Sequence, residues 1–480
     1  MRKTKIICTI GPATETPEML ARLHAAGMNV ARLNMSHGDH PSHARVLAGL
    51  REINRGAANP VAVLVDTQGP EIRTGNLAQD LNLKTGDIIQ VVARGDGDVE
   101  TSSIHINYAD LVDSVKVGDR ITVDNGLINL EVLAKQRPAM TCRVIDGGVL
   151  KSKRHVNLPG IRVNLPAITD KDRKDIAFAA EQGADFIALS FVRHPSDVEA
   201  LRALLRELGA APTRIIAKIE DQEGLTNVEA IIAAADGIMV ARGDLGVEIP
   251  IEMLPRVQRR IVRQCAIHGK RVIVATHMLE SMIENPLPTR AEVTDVANAV
   301  YEEADAIMLS GETTVGKHPV RCVEMLDRIA RSIENSRGLR FTDELILGND
   351  QQQVAAAAVH LAESIGARAI IVPTRSGRMA DYVTNCHPQT PVICAFAFDE
   401  TTRRQLVLNR NVLSYCLSRH GTPAEILAEA GAVLAARGEF APTDKLVVLQ
   451  DILAGSGVGA IQIRTLGDLA AAGSRPAANP

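Results

Sequence analysis

Eight short β-rich runs occur before residue 313, and most are separated by stretches long enough for a helix. One such stretch, Pro17–Gly27, carries Met19, Leu20 and Leu23 at helical spacing and ends at a glycine. Strands that alternate with helices form parallel β/α units, and eight units predict a closed (β/α)8 barrel, the TIM barrel. The predicted strands are Lys5–Ile10, Asn29–Asn34, Val61–Thr67, Phe186–Val192, Arg214–Glu220, Gly237–Gly243, Arg271–Met278 and Ala306–Glu312.

The alternation breaks between the third and fourth runs. The stretch from Gly69 to Leu165 is rich in Val, Ile, Asp-Gly and Gly-Asp, which is typical of short strands joined by tight turns. This predicts an all-β lid domain at residues 70–165, inserted into a barrel of residues 1–69 and 166–344. Because barrel strands carry functional residues at their C-terminal ends, an insertion after strand three lies over the site.

A third region follows the barrel, over residues 345–480. Gln351–Gly366 is Ala-rich and predicts a helix, and five strand-like runs with helices between them follow it. This pattern predicts a C-terminal doubly wound α/β domain. Its predicted strands are Ala369–Pro373, Pro391–Phe396, Val412–Leu417, Lys445–Leu449 and Ala460–Thr465.

The composition excludes several classes of partner. The net charge is −4, aromatic residues make up 2% and Trp is absent, so we expect no nucleic acid partner. No apolar run is long enough to span a membrane, and no signal peptide precedes the first strand. The seven cysteines are scattered without a Cys-x-x-Cys pair, which indicates reduced thiols and a cytoplasmic protein.

Polar residues gather at or just past the C-terminal ends of the predicted barrel strands. Residues two apart on a strand point to the same side, as we expect for Lys218 and Glu220, and for Arg242 and Asp244. Charges buried in a barrel are costly unless they are paired or bind a metal. We therefore predict one site from Arg32, Asn34, Ser36, Asp66, Thr67, Arg73, Lys218, Glu220, Arg242, Gly243, Asp244, Thr276, Ser310 and Glu312.

Two carboxylates beside Lys and Arg suit a hard divalent ion and a phosphorylated substrate, because Mg²⁺ leaves most of its coordination to water and substrate oxygens. Phosphoryl transfer requires mainly positioning and charge stabilisation from a protein. The segment Gly243–Gly246 precedes Pro250 and Leu254, where a helix is predicted to begin. Backbone N–H groups at such a start favour an anion, for example a substrate carboxylate.

These segments resemble the pyruvate kinase family along essentially the whole chain. The similarity is carried by Ala31-Arg-Leu-Asn-Met-Ser-His-Gly38, Asp66-Thr-Gln-Gly-Pro-Glu-Ile-Arg-Thr-Gly75, Val156-Asn-Leu-Pro-Gly160, Ala217-Lys-Ile-Glu220, Met239-Val-Ala-Arg-Gly-Asp-Leu-Gly-Val-Glu248, Ala275-Thr-His-Met-Leu-Glu-Ser-Met282, Pro288-Thr-Arg-Ala-Glu292, Asp295-Val-Ala-Asn-Ala-Val300 and Ile307-Met-Leu-Ser-Gly-Glu-Thr313. The resemblance implies transfer of a phosphoryl group from phosphoenolpyruvate to ADP, giving pyruvate and ATP, the last step of glycolysis.

The resemblance also implies roles for individual residues. Glu220 and Asp244 would bind Mg²⁺ or Mn²⁺, Lys218 and Arg32 would contact the transferring phosphoryl group, and Thr276 would join the proton relay. Backbone at Arg242, Gly243 and Asp244 would hold the substrate carboxylate. Asn34, Ser36, Asp66 and Thr67 would bind K⁺, and Arg73, Arg154 and Asn157 would contact phosphates or nucleotide.

Regulation and assembly are further implications of the family. The loop Thr374-Arg375-Ser376-Gly377-Arg378 lies where the family binds the phosphate of an activator, such as a sugar phosphate or AMP; an ordinary helix cap is the alternative. Glu71 occupies the position where Glu accompanies K⁺ dependence, although an ion pair with Arg73 would also explain it. Gln68, His155 and His277 depart from the family's usual residues. A homotetramer is expected.

Other interpretations of the motifs are weaker. Gly311–Lys317 nearly spells a P-loop but lacks the Ser or Thr after Lys317, and Gly455–Ala460 only loosely fits a dinucleotide fingerprint. His37, His40 and His43 favour capping over a metal cluster. The alternative functions are a metal-dependent barrel lyase acting on enolates and a non-catalytic, effector-binding relative.

Overall fold

The computed structural model describes residues 2–93, 103–161, 163, 165–418, 421–451 and 459–472. Its centre is a closed barrel of eight parallel strands, hydrogen-bonded in the order 1-8-7-6-5-4-3-2. Their side chains are almost all buried, as expected for strands covered by helices outside and packed side chains inside. Barrel strands 1 to 8 are Lys5–Thr9, Val30–Asn34, Ala62–Asp66, Phe186–Leu189, Arg214–Ile219, Gly237–Ala241, Arg271–Ala275 and Ala306–Leu309.

Capped amphipathic helices surround the barrel. The first helix, Pro17–Ala26, begins at the Thr16 cap and ends at Gly27, whose φ of 118° is costly for a residue with a side chain. The other α-helices up to residue 333, outside the insertion, are His40–Asn54, Asp170–Glu181, Pro195–Glu207, Gln222–Thr226, Val228–Ala234, Arg242–Glu248, Leu254–Ile267, Arg290–Tyr301, Gly311–Thr314 and Pro319–Ile333. Short 3₁₀ turns lie at Ile251–Met253, Glu280–Ile283, Phe341–Glu344 and Leu406–Leu408.

The chain between barrel strands 3 and 4 forms the expected all-β unit, with its own apolar core. A six-stranded sheet, mostly antiparallel, is accompanied by a two-stranded sheet. The strands are Leu81–Leu83, Ile88–Ala93, Ser103–Ile106, Arg120–Val123, Ile128–Gln136, Ala139–Asp146, Gly148–Leu150 and Val156–Asn157, with one short helix at Leu111–Ser114. We call this unit the lid.

The C-terminal part is an α/β domain around a five-stranded sheet. Its first four strands are parallel and the last is antiparallel, with helices packed on the sheet, so the doubly wound prediction is confirmed. The strands are Ala369–Thr374, Val392–Ala397, Val412–Cys416, Lys445–Asp451 and Gly459–Thr465. The helices are Asp350–Ser364, Arg378–Asn385, Glu400–Gln405, Pro423–Arg437 and Leu466–Ala472. The exact domain limits, at 69/70, 165/166 and 344/345, stay predictions.

Buried ion pairs join the C-terminal domain to the N-terminal end of the barrel. Arg404 Nε lies 2.9 Å from Asp185, which directly precedes barrel strand 4. Arg214, the first residue of barrel strand 5, lies 3.1 Å from Asp381 in the helix that follows the loop at 374–378. The domain is therefore attached to the strands that carry polar residues at their other ends.

All eight predicted barrel strands are confirmed, but all except strand 2, which ends at Asn34 as expected, end one to three residues earlier than predicted. The chain leaves barrel strand 6 at Ala241 and barrel strand 8 at Leu309, and a helix begins within two residues in both cases. Arg242 and Glu312, which follow these ends, are buried as well, so burial does not stop where the strands stop. In the described part of the chain, no helix has the length and apolarity to cross a membrane.

Candidate active site

Lys218 lies at the centre of a buried polar cluster at the C-terminal end of the barrel. Its Nζ is 3.1 Å from Asp66 Oδ1 and 3.0 Å from Glu220 Oε1, and it donates a hydrogen bond of 2.7 Å to Ser190 Oγ. Burial alone would lower the Lys218 pKa, but Asp66 and Glu220 outweigh it and raise the pKa above its ordinary value. Lys218 is therefore a fixed positive charge.

Arg32 is the second cation of the cluster and shares its carboxylate with Lys218. Arg32 Nε lies 2.6 Å from Asp66 Oδ2, and its Nη1 donates to Thr9 Oγ1 at 2.9 Å. Burial would raise the pKa of Asp66, but Lys218 and Arg32 overcome this and lower it. One ionised carboxylate thus orients two cations towards the mouth of the barrel.

Glu220, which is buried, and Asp244, which is half-buried, form a carboxylate pair beside Lys218. Glu220 Oε2 accepts a hydrogen bond of 2.7 Å from the backbone N–H of Phe191. Burial, opposed by Lys218 and reinforced by Asp244 and Asp66, raises the Glu220 pKa to about 7, and burial also raises that of Asp244. Two crowded carboxylates with raised pKa values form a donor set that a divalent cation would stabilise.

The residues fit a site shared between protein, water and substrate rather than a metal cage. Within the ranges that the structure describes, no group of three or more His, Cys, Asp or Glu side chains could hold a metal ion. Mg²⁺ is commonly held by one or two carboxylates and completes its coordination with water and phosphate oxygens. Glu220 and Asp244 are of that kind.

A cavity of about 430 Å³ adjoins the cluster and is bounded by Gly243 and Thr276 on the barrel and by Asn125 on the lid. A Cβ at position 243 would lie 3.0 Å from Thr276 Cγ2, so glycine allows the two backbones to approach closely. Thr276 itself has φ of 73°, which is unusual for a β-branched residue and is characteristic of functional loops.

The expectation that Arg242 shares a face with Asp244 is wrong. Barrel strand 6 ends at Ala241, and the helix Arg242–Glu248 begins at once, so the two side chains diverge. Arg242 Nη1 lies 2.7 Å from Asp295, and its Nη2 donates to Thr276 O at 2.6 Å. Only the Arg242 backbone is available to a ligand. A helix does begin at Leu254, as expected, but a further short helix already starts at Arg242.

Glu312 is likewise not part of the site. It is fully buried, and its carboxylate accepts hydrogen bonds from the backbone N–H groups of Leu279 at 3.0 Å and Ser310 at 2.7 Å. Since the strand ends at Leu309, Ser310 and Glu312 do not alternate as strand residues. Lys317 pairs with Glu284 on the surface, which leaves the P-loop interpretation without support.

Comparison with known proteins assigns the family. The model of the pyruvate kinase barrel domain matches residues 1–323, and that of the pyruvate kinase alpha/beta domain matches residues 352–460. A pyruvate kinase of Geobacillus stearothermophilus is 43% identical over 483 residues, covering 98% of this chain and 82% of the relative. One of Bacillus licheniformis is 41% identical with the same coverage, and one of Staphylococcus saprophyticus is 45% identical over 84% of this chain and 70% of the relative.

The chain belongs to the pyruvate kinase family. Pyruvate kinases are phosphotransferases, so the enzyme class expected from the resemblance is confirmed. The match extends over the barrel and the C-terminal domain, and it decides against both the barrel lyase and the non-catalytic relative.

The residues expected to bind K⁺ in this chain lie together at the ends of barrel strands 2 and 3. Asn34 pairs with Asp66 across the two strands, and Asn34 Oδ1 accepts from the backbone N–H of Ser36 at 3.2 Å. Thr67 O accepts from Ser190 Oγ at 2.7 Å. The four residues are thus brought together, but their role as cation ligands stays a prediction.

Glu71 forms the ion pair with Arg73 that was the alternative to a role in K⁺ dependence. Its Oε2 lies 2.5 Å from Arg73 Nε and accepts a hydrogen bond of 3.0 Å from Gln68 Nε2. Burial would raise the Glu71 pKa, but the bond to Arg73 prevails and lowers it. This pairing does not exclude a K⁺-related role, because both partners lie at the junction of barrel and lid.

His155 of the lid lies next to the carboxylate pair of Glu220 and Asp244. His155 Nδ1 lies 3.6 Å from Asp244 Oδ1, and its ring is 6.1 Å from that of Phe191. Burial is the main cause of a lowered His155 pKa, which favours the neutral imidazole. A residue that departs from the usual family pattern therefore touches the predicted metal site directly, while His277 is exposed.

The three residues expected to contact nucleotide are only partly brought together. Arg73 and Arg154 lie on adjacent segments, since the backbone N–H of Thr74 donates to Arg154 O at 2.8 Å. Asn157 instead faces the barrel, and its Nδ2 donates to Glu248 Oε1 at 3.1 Å. Burial raises the pKa of Glu248 to about 7.

The predicted effector loop has the expected form. The loop lies in the C-terminal domain and not in the barrel that carries the active site. It joins the strand Ala369–Thr374 to the helix Arg378–Asn385, with Gly377 in the left-handed region at φ of 79°. Thr374, Arg375, Ser376 and Arg378 line a cavity of about 570 Å³. The segment 455–458 of the loosely matching dinucleotide fingerprint lies outside the described residues.

Sequence reasoning missed two polar residues of the cluster, Ser190 and Thr9. Ser190 Oγ contacts Lys218 Nζ and Thr67 O, and Thr9 Oγ1 accepts from Arg32. Both lie at the C-terminal ends of barrel strands, the place already singled out. They were missed because strands 4 and 1 were predicted to continue to Val192 and Ile10.

The histidines near residue 40 do not converge. His40 Nε2 contacts Asp175 at 2.8 Å and stacks on Phe178, whereas His43 contacts the carbonyl of His37. These contacts are structural, but Asp39 rather than a histidine caps the helix His40–Asn54.

Proposed function

We propose that this protein catalyses phosphoryl transfer from phosphoenolpyruvate to ADP in a reaction that requires Mg²⁺ or Mn²⁺ and is activated by K⁺. The observation that carries the proposal is the position of Lys218, held 3.0 Å from Glu220 and beside the Glu220–Asp244 pair at the functional end of the barrel. The site thereby presents both a cation and a pair of carboxylates to its ligands.

Lys218 and Arg32 would bind the transferring phosphoryl group. Both are oriented by Asp66, so little reorganisation is required when negative charge develops on the equatorial oxygens. Lys218 keeps its proton throughout, because its neighbours raise its pKa. Its role is therefore charge stabilisation and not proton transfer.

Glu220 and Asp244 would hold the divalent ion, which when bound supplies Lewis-acid stabilisation of phosphoryl and carboxylate oxygens. The fit rests on two crowded carboxylates: burial, reinforced by Asp244, raises the pKa of Glu220, and burial also raises that of Asp244. Backbone N–H groups of Arg242, Gly243 and Asp244, in the first turn of a helix, would hold the substrate carboxylate.

Thr276 would take part in the proton transfer that converts the enolate to pyruvate. It borders the cavity beside Gly243, and its hydroxyl makes no hydrogen bond with another described residue. Its backbone is fixed by Arg242, which donates to Thr276 O. Arg242 would thus act as a positioning residue through its side chain.

Arg73, Arg154 and Asn157 would contact the nucleotide or its phosphates, and the lid would close over the site and exclude water. Support comes from His155 and Asn125, which bring lid residues to Asp244 and to the cavity at Thr276. K⁺ would lie among Asn34, Ser36, Asp66 and Thr67.

The loop at 374–378 would bind the phosphate of an activating sugar phosphate or AMP. Arg375, Ser376 and Arg378 are exposed at a helix start beside a cavity, an arrangement suited to an anion. Arg378→Ala should abolish activation by such compounds, and intact activation would place the effector elsewhere. A homotetramer is part of the same proposal, and light scattering tests it.

The decisive experiment is a coupled assay of pyruvate formation from phosphoenolpyruvate and ADP with Mg²⁺, with and without K⁺. Turnover that requires Mg²⁺ and rises with K⁺ is the expected result. Turnover that is independent of K⁺ would leave the reaction in place and overturn the K⁺ site. A folded protein without turnover under either condition would contradict the proposed reaction.

A further inference from the structure

A second large cavity lies at the opposite end of the barrel from the active site. It has a volume of about 900 Å³ and is bounded by the N-terminal segment, the end of the helix Pro319–Ile333 and the C-terminal domain. We call it the basal cavity. Ligand sites usually fall within this range of size.

The basal cavity has an excess of positive charge. Five of its lining residues are cations and three are carboxylates, namely Lys3, Arg331, Arg337, Arg340 and Arg368 against Glu334, Asp343 and Glu363. Because anionic ligands are bound where cations outnumber carboxylates, the ratio alone favours a negatively charged occupant.

The three carboxylates are each oriented by a fixed partner and, within the described residues, form no ion pair with the remaining cations. Glu334 accepts from the backbone N–H groups of Lys3 at 2.7 Å and Thr4 at 2.6 Å. Asp343 is paired with Arg340 at 2.7 Å, and Glu363 accepts from a backbone N–H at 2.8 Å. Each carboxylate is thereby oriented towards a fixed partner.

Three cations remain without a partner. Across the described ranges, no carboxylate lies within 4.0 Å of the side-chain nitrogens of Lys3, Arg337 or Arg368. Arg410, which is 3% exposed, adds charge close to Lys3, and its Nε and Nη1 have no hydrogen-bond partner among the described residues. Burial and then repulsion by Arg410 lower the pKa of Lys3.

We infer that the basal cavity is a binding site for a small phosphate-bearing metabolite, held by Lys3, Arg337 and Arg368. Guanidinium groups bind phosphate oxygens in a bidentate manner, and the volume leaves room for an organic part. Lys3 and Arg337 belong to the barrel part of the chain and Arg368 to the C-terminal domain. A bound phosphate would therefore bridge the two.

Calorimetric titration of the full-length protein with inorganic pyrophosphate, in buffer free of divalent ions, tests this inference. The background is Arg375→Gln/Arg378→Gln, so that the loop at 374–378 does not contribute. Adding Arg337→Gln/Arg368→Gln should weaken one class of binding by about tenfold or more. Both positions are exposed, so the fold should remain intact by circular dichroism.

The matched control is Arg321→Gln/Arg328→Gln in the same background, because these exposed residues lie on the adjacent helix outside the cavity and remove the same charge. The control should bind pyrophosphate as the background does. Equal weakening in both variants would show a net-charge effect and overturn the site. Unchanged binding in the Arg337/Arg368 variant would overturn it as well. Neither readout depends on turnover.

Discussion

The two ends of the barrel both bury charge, yet they differ in how that charge is satisfied. At the N-terminal end, Asp305 meets Arg271 at 2.7 Å and the backbone N–H of Val272 at 2.9 Å. Asp185 meets Arg404 and the backbone N–H of Val63 in the same way. Each carboxylate is paired with one cation and also accepts from backbone amides, including that of Arg410 on Asp305 at 3.4 Å, so these clusters are closed.

At the C-terminal end the groups do not pair one to one. Asp66 is shared by Lys218 and Arg32, while Glu220 is placed beside a second carboxylate, Asp244. A raised pKa does not distinguish the two ends, since burial raises the pKa of Asp185 to about 6 and that of Glu220 to about 7. The informative difference is the crowding of like charges next to a cavity, which indicates a ligand.

The largest expected effect comes from replacing a buried lysine by methionine, once at each end of the barrel. Lys218→Met should lower turnover by about 10³-fold or more without unfolding the protein, because a cation that stabilises the transferring group is lost. Lys5→Met removes a buried lysine that donates to Val412 O at 2.7 Å at the other end, and its turnover should stay within about twofold of normal. Steady-state kinetics and thermal unfolding of both variants check this; near-normal turnover of Lys218→Met would refute the assignment.

The second prediction concerns the closed clusters. Asp305→Ala should reduce the free energy of unfolding by about 3–5 kcal/mol, since Arg271 would be left buried and unpaired. Glu284→Ala breaks the exposed pair with Lys317 and should cost less than about 1 kcal/mol. Urea unfolding measures both free energies. Equal losses would show that the buried Asp305–Arg271 pair stabilises the fold no more than the exposed pair does.

The third prediction concerns the pH dependence of stability that arises from Asp185, at the N-terminal end of the barrel. The folded-state pKa of Asp185, about 6, is above its ordinary value, so its contribution to stability is complete below the ordinary pKa and is lost as pH rises through about 6. The stability advantage of the natural protein over Asp185→Asn should therefore be larger at about pH 5 than at about pH 7.5. Urea midpoints at the two values test the sign; an advantage that grows with pH would show that the pair with Arg404 lowers this pKa.

The smallest effect is expected at the edge of the active site. Glu71→Lys should weaken K⁺ activation severalfold, because a positive group would replace the carboxylate that now binds Arg73 and Gln68. Glu131→Lys reverses the charge of another lid carboxylate paired with an arginine, Arg143, and should leave the K⁺ response unchanged. Assays over a range of K⁺ concentration distinguish the two, and unchanged activation in Glu71→Lys would remove Glu71 from the K⁺ argument.

The sequence allowed the barrel, the lid and the C-terminal domain to be predicted, because hydrophobic runs and turn residues determine which segments become strands. It did not allow the strand ends to be located, since Arg242, Ser190 and Glu312 lie just past them in buried turns that no apolar pattern marks. The errors at Arg242 and Glu312 and the omission of Ser190 share this cause. The contact of His155 with Asp244 joins residues far apart in the chain, and no local pattern reports it.

The close approach of Gly243 to Thr276 has a consequence for how related chains can diverge. Any other residue at 243 would place a Cβ 3.0 Å from Thr276 Cγ2, and the left-handed backbone at 276 leaves that methyl little freedom to move. Positions 243 and 276 should therefore change together. In a broad set of aligned sequences, a side chain at 243 should be accompanied by a residue at 276 without the methyl group, such as serine.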